Sequence, residues 1–201
     1  MYEWRKMSGE ERKEILEFRK KNCYPWHSPP HPKSDYNTFH ITAACYEHKC
    51  IIGKTIKRIT DFEVQLLENI ECLSGKVYAW CILPNHYHFL VEIGDVKTLI
   101  RAIGKLHGRT SFQWNGEDGE RGRQIWYRCA ERAIRSERHF WATMNYIHYN
   151  PVHHKYVSKW QDWPYSSAQA YLEEVGREKA LEIWNEYPIL DYGKGWDDPK
   201  L

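Results

Sequence analysis

Two short stretches of the chain carry the residue types from which a phosphate-handling centre can be built. In LPNHYHFLVE, Leu83 to Glu92, two histidines stand one residue apart at the head of an apolar run. Residues two apart on a strand share a face, so His86 and His88 project together and their imidazoles can converge on one cation, while Tyr87, Phe89 and Val91 face the other way. The same spacing also fits two satisfied polar residues at a strand start, and a cation would need a further ligand, an oxygen or an amide if the ion is hard. In MNYIHYNPVHHKYV, Tyr146 and Asn150 lie four apart on a helical pattern, which puts a phenol and an amide on one ridge. A phenol, with a reference pKa of about 10, is a poor nucleophile. A divalent cation polarising an acceptor phosphate, with a base or hydrogen-bond partner, makes its attack feasible. Taken alone, Tyr146 is equally an ordinary tyrosine of an amphipathic helix, and Asn150 an ordinary helix end before Pro151.

The elements that must position these residues follow from periodicity. FHITAAC alternates as a strand with Phe39, Ile41 and Ala43 on one face. ITDFEVQLLENIECLSG reads as a helix capped at Thr60 or Asp61, with Phe62, Leu66, Leu67 and Ile70 as its apolar stripe and Gly75 as its stop. KVYAWCIL and HYHFLVEI, joined by LPN, read as an antiparallel hairpin. VKTLIRAIGKLHGRTSFQWN is a second helix, NGEDGERGR a loop and QIWYRCAERAI a weaker strand. SERHFWATMNYIHYN is a third helix, capped by Ser136 and expected to end before Pro151. This order predicts an α+β domain, a split βαββαβ antiparallel sheet with helices on one face, over residues 38–170. Residues 1–37 precede it as a charged helix from Gly9 to Lys21 and a Pro/His-rich arm, in which Pro25, Pro29, Pro30 and Pro32 forbid a helix. Residues 171–201 form a C-terminal extension.

Composition bounds the function only loosely. The chain has 201 residues, 42% of them hydrophobic, and no apolar run long enough to cross a bilayer. Its first residues lack the apolar middle of a secretory signal, so a cytoplasmic protein is expected. The six cysteines include no C-x-x-C pair and read as reduced thiols. A net charge of +2 does not demand nucleic acid, but 11 histidines and 15% aromatic residues are high, and both side-chain types can stack on unpaired bases.

LPNHYHFLVE followed by YIHYNPV, with Trp126 and Ala133-Ile134-Arg135 between them and Trp163-Pro164-Tyr165-Ser166-Ser167 after them, resembles the single-tyrosine HUH transposases. Within these it is most similar to the branch associated with repeated extragenic palindromes (REP). The resemblance spans about residues 38 to 170 and implies a ferredoxin-like fold, in agreement with the element order. It also implies a metal-dependent endonuclease that nicks and rejoins hairpin-bearing single-stranded DNA through a 5′-phosphotyrosine intermediate. On this pattern Tyr146 is the nucleophile, and His86, His88 and Asn150 are the ligands of Mg²⁺ or Mn²⁺. The protein would act as a monomer or homodimer near the bacterial nucleoid. The sequence departs from the pattern at Tyr87, where a smaller aliphatic is common, at Cys129, where an aromatic is frequent, and in carrying His148 and a second phenol, Tyr149.

Arg58, Lys105, Arg109, Arg123, Arg128, Arg132 and Arg135 are candidate DNA contacts or a solvated surface, and Trp26, Trp114 and Trp126 are candidates for base stacking. The alternative function is a domesticated hairpin DNA- or RNA-binding regulator that does not cut, although a pure binder has no need of Tyr146, His86, His88 and Asn150 together. A hydrolase acting on a small substrate would need a carboxylate to activate water, and Glu92 is too remote to serve.

Overall fold

A computed structural model describes residues 37–193 together with Ser8 and Glu10. The Pro/His arm, Trp26 and all but Glu10 of the expected N-terminal helix lie outside the described residues. Everything below concerns the unit Tyr36–Leu201.

Four strands, β1 (Thr38–Ala44), β2 (Lys76–Ile82), β3 (His86–Glu92) and β4 (Ala130–Ala133), form one antiparallel sheet in the order β2-β3-β1-β4. Interleaved with them are α1 (Ile56–Glu71), α2 (Val96–Glu117) and α3 (Glu137–His153), followed by α4 (Ala168–Val175) and α5 (Arg177–Glu186). This is the βαββαβ order read from the sequence. Among the described residues no helix is long and apolar enough to cross a membrane.

The local signals work as expected in most places. Asp95 caps α2 by accepting from Lys97 N and Thr98 N, and Ser136 caps α3 by accepting from His139 N. Two boundaries differ from the reading. α1 begins a turn before Thr60, because the Thr55 hydroxyl is free to accept from Arg58 N. α3 runs through Pro151, whose ring removes one N–H near the helix end; His154 N still reaches Asn150 O at 3.0 Å, so the last turn closes.

The helices take both faces of the sheet, where one was expected. α1 and α2 cover the face bearing Phe39, Ile41, Tyr87, Phe89 and Val91, contributing Phe62, Leu66, Ile70, Leu99, Ile103 and Leu106. α3 covers the other face, packing Met144, Tyr146 and Ile147 on Ala79, Cys81 and Leu90. The physical reason is that β2 is apolar on both of its alternating sets, and Leu90 of β3 extends the second apolar patch beside Ala79 and Cys81, so both faces need cover. The WPYSS element completes this side. Ile82 N donates to Tyr165 O (2.8 Å), Ser167 N to Trp80 O (3.0 Å) and Trp163 Nε1 to Ile82 O (2.9 Å), laying the segment along the free edge of β2.

On the α1/α2 side a buried ionic clamp joins the two helices. Arg58 donates to Asp118 and Glu117, and Lys54 and Arg123 close on the same Asp118, whose side chain is 3% exposed. Hydrogen bonds, first from Arg58 and then from Lys54 and Arg123, hold the Asp118 carboxyl well below the usual carboxylate range. A depressed pKa in the folded state stabilises the fold above the unfolded value of about 3.9 and is lost as pH falls towards the folded one. Asp118→Ala is therefore expected to lower stability at pH 7 by roughly 3 kcal/mol, since it leaves Arg58 buried without its main partner. Asp118→Asn should flatten the fall in the urea midpoint below about pH 4; an acid limb identical to wild type would contradict this.

Candidate functional site

The site lies between β3 and α3. Period-two alternation sends His86, His88 and Leu90 to the α3 face, and His86 and His88 are 0% and 1% exposed, with ring centroids 5.1 Å apart. Asn85, the last residue of the LPN turn, controls the first imidazole. Its amide donates to the His48 carbonyl (3.1 Å), which turns its Oδ1 towards His86 Nδ1 at 2.7 Å. An amide oxygen only accepts, so Nδ1 carries the proton and a neutral His86 has a bare Nε2. That Nε2 faces Asn150 Oδ1 at 3.0 Å. Two lone-pair atoms at this distance repel unless a proton or a cation lies between them. Turning the amide would let its N–H donate to Nε2, and a cation between Nε2 and Oδ1 is the other arrangement that meets both lone pairs. Asn150 is 0% exposed, and its Nδ2 is buried with no hydrogen-bond partner among the described residues.

Tyr146 stands one helical turn before Asn150, as the i, i+4 spacing requires, with its ring 5.2 Å from that of His88. It is 6% exposed, because the segment after α5 folds back over it. Tyr192 packs 5.4 Å from its ring, and a Cβ at Gly193 (φ 81°) would overlap that ring, so only glycine fits there. Asn145 ties the segment down by donating to Tyr187 O at 2.9 Å. The expected C-terminal extension is thus part of the same packed face as the tyrosine. Tyr149 points away from the site and packs on Trp184.

The structure also brings in residues that pattern reading did not single out. His40 on β1 lies beside His88, with Nε2 3.2 Å from His88 Nδ1. His154, one turn beyond Asn150 on the same ridge, has its ring 4.8 Å from that of His86. The one available signal for His40 was alternation, since it sits on the opposite face of its strand from Phe39 and Ile41. Among the described residues no three His, Cys, Asp or Glu side chains form a group that could hold a metal ion. The set that fits one here is two imidazole nitrogens and an amide oxygen, a donor mixture acceptable to a borderline or moderately hard divalent ion.

The candidate DNA contacts separate sharply by position. Arg58 and Arg123 are committed to the Asp118 clamp. Lys105 and Arg109 are exposed on α2, across the sheet from Tyr146, with Arg109 donating to Gln65. Arg128, Arg132 and Arg135 are exposed along or beside β4, and Arg132 is paired with His40, which places it on the tyrosine's face. Trp114 and Trp126 are core residues rather than stacking platforms, and Trp126 lies flat on His107 at 4.1 Å.

Two of the departures acquire structural roles. The Tyr87 hydroxyl donates to His107 Nε2 (3.0 Å), and burial pushes the His107 imidazole down to about 3, keeping it a neutral acceptor. His148, driven down to about 3 by burial, holds Ser167 of the WPYSS element at 2.9 Å.

Residues 33–157 match the family described as IS200-like transposases. The chain is 31% identical over 146 residues to a protein of Haemophilus influenzae ascribed to the REP-associated tyrosine transposases, covering 62% of this chain and 80% of the relative. It is 31% identical over 97 residues to a REP-associated tyrosine transposase of Escherichia coli, covering 46% of this chain and 53% of that protein. Its fold is similar to the solved structure of a REP-associated tyrosine transposase bound to a REP hairpin, with TM-score 0.56 and 22% identity over 71% of this chain and 84% of the other. With the family matched over more than half its length and the tyrosine helix set against the histidine strand, the chain belongs to the IS200-like transposases, in their REP-associated tyrosine branch.

Proposed function

We propose that this transposase is a divalent-metal-dependent endonuclease that nicks and rejoins single-stranded DNA beside a foldback hairpin, with Tyr146 as nucleophile. The observation that carries the reading is the convergence of Tyr146, His88, His86 and Asn150 in one buried site of one chain. His86, His88 and Asn150 would hold Mg²⁺ or Mn²⁺, which when bound supplies Lewis-acid polarisation of the scissile phosphate. The Tyr146 oxygen forms a bond to phosphorus as the bond from phosphorus to the 3′ oxygen breaks. The phenolic proton is given up and the departing 3′ oxygen gains one. The product is a 5′-phosphotyrosine and a free 3′ hydroxyl. The ester linkage conserves the bond energy, so another 3′ hydroxyl can reverse the step without ATP. Tyr146 and His88 meet within one chain, which supports a site assembled in cis. Hairpin-bearing DNA is supported as substrate by the fold shared with a hairpin-bound relative and by the arginines of the β4 side.

One observation favours the alternative of a hairpin-binding regulator that does not cut: the ring of Tyr146 is covered by Tyr192 and Gly193. Incubation of a labelled hairpin-bearing single strand with Mn²⁺, followed by denaturing electrophoresis, separates the two. The wild type is expected to form a covalent adduct and Tyr146→Phe none while still binding the hairpin, because the substitution removes only the attacking oxygen. Hairpin binding without an adduct in any divalent ion would establish the regulator instead. Asn150→Ala should weaken Mn²⁺ binding, read by calorimetry, by at least about tenfold, since even outer partners of metal ligands are worth that much. Arg132→Ala and Arg135→Ala should each reduce the slope of log affinity against log salt by about 0.7 for single strands; unchanged slopes would remove that side of the sheet from the DNA path.

A further inference from the structure

His88 is held by a chain of hydrogen bonds whose proton directions can be followed from one end to the other. The Thr143 hydroxyl lies 2.7 Å from the His139 carbonyl and 2.7 Å from Tyr192 Oη. A carbonyl only accepts, so the single hydroxyl proton of Thr143 points to His139 O, and Thr143 Oγ1 must accept from Tyr192. Burial raises the Tyr192 phenol above its ordinary pKa, which keeps that proton in place. With its proton given to Thr143, Tyr192 Oη accepts from His40 Nδ1 at 3.2 Å. With its Nδ1 proton directed to Tyr192, the buried His40 presents Nε2 as the acceptor for His88 Nδ1 at 3.2 Å. His88 is left with the proton on Nδ1 and a lone pair on Nε2.

From this we infer that His40 is a positioning residue that holds His88 in the tautomer able to ligate a cation, with Tyr192 and Thr143 setting the direction of the relay. The inference rests on the reading of His88 as a metal ligand. It gives the site two independent tautomer locks, Asn85 on His86 and His40 on His88, built from different elements. It also makes the segment after α5 part of the metal site through a single hydroxyl, 152 residues from His40 in the chain.

Substitutions at both ends of the relay test it. His40→Leu removes the acceptor, and Mn²⁺ affinity measured by calorimetry is expected to fall by about tenfold or more. His40→Gln, whose carbonyl can accept from His88 and whose amide can donate to Tyr192, should recover most of it. Tyr192→Phe leaves His40 in place but frees its tautomer and should cause a smaller loss. The direct readout is the ¹⁵N spectrum of His88 in the metal-free full-length protein. The wild type should show a protonated Nδ1 and an imine-type Nε2, and His40→Leu a mixture. A wild-type His88 protonated on Nε2, or a folded His40→Leu variant that binds Mn²⁺ as tightly as wild type, would overturn the proposal. Because the tautomer is read without metal, a wild type that shows the expected ¹⁵N pattern but binds no Mn²⁺ would overturn the metal reading alone.

Discussion

β3 lies between β1 and β2, so its backbone hydrogen bonds are taken up on both sides, and helices close over both of its faces. From His86 to Val91 no side chain is more than 1% exposed. Every polar atom on that strand must find a partner inside the protein or cost free energy. On the α1/α2 face the requirement falls on Tyr87 and is met by His107. On the α3 face it falls on two imidazoles, each with two nitrogens, and around them the protein has gathered Asn85, His40 and Asn150. The candidate site is what burying two histidines on a central strand entails.

That constraint explains why the supporting residues come from distant parts of the chain. One nitrogen of each imidazole is held by the sheet side of the structure, through the turn before β3 or through β1. The other is directed towards the helix that carries Tyr146. α3 is held in turn by the WPYSS element through His148 and Ser167, and by the C-terminal segment through Asn145 and Tyr187. A buried site needs rigid walls, and these contacts are what keep α3 in register with β3.

The opposite side of the sheet does different work. Its arginines look, by type and charge, like the arginines beside β4, yet Arg58 and Arg123 neutralise a buried aspartate and bind α1 to α2. The tryptophans there fill the core around Phe62 and His107. Residue type does not distinguish a guanidinium left at the surface from one that meets Asp118; a carboxylate sixty residues along the chain does.

The sequence alone determined the element order, the hairpin that sets His86 and His88 on one face, and the ridge shared by Tyr146 and Asn150. These depend on periods of 2 and 3.6 and on local caps, which are properties of neighbouring residues. It also carried the family resemblance that joined the two motifs. Only the tertiary structure decided that α3 covers the face opposite α1 and α2, that Arg58 is spent on a clamp, and that Thr143, Tyr192 and His40 join in a chain that ends at His88. The reason is that strand order and helix placement are settled by which apolar faces can be buried together. Contacts made across that packing join residues with no periodic relation in the chain: His40 reads as one polar position on an alternating strand until β1 is paired with β3.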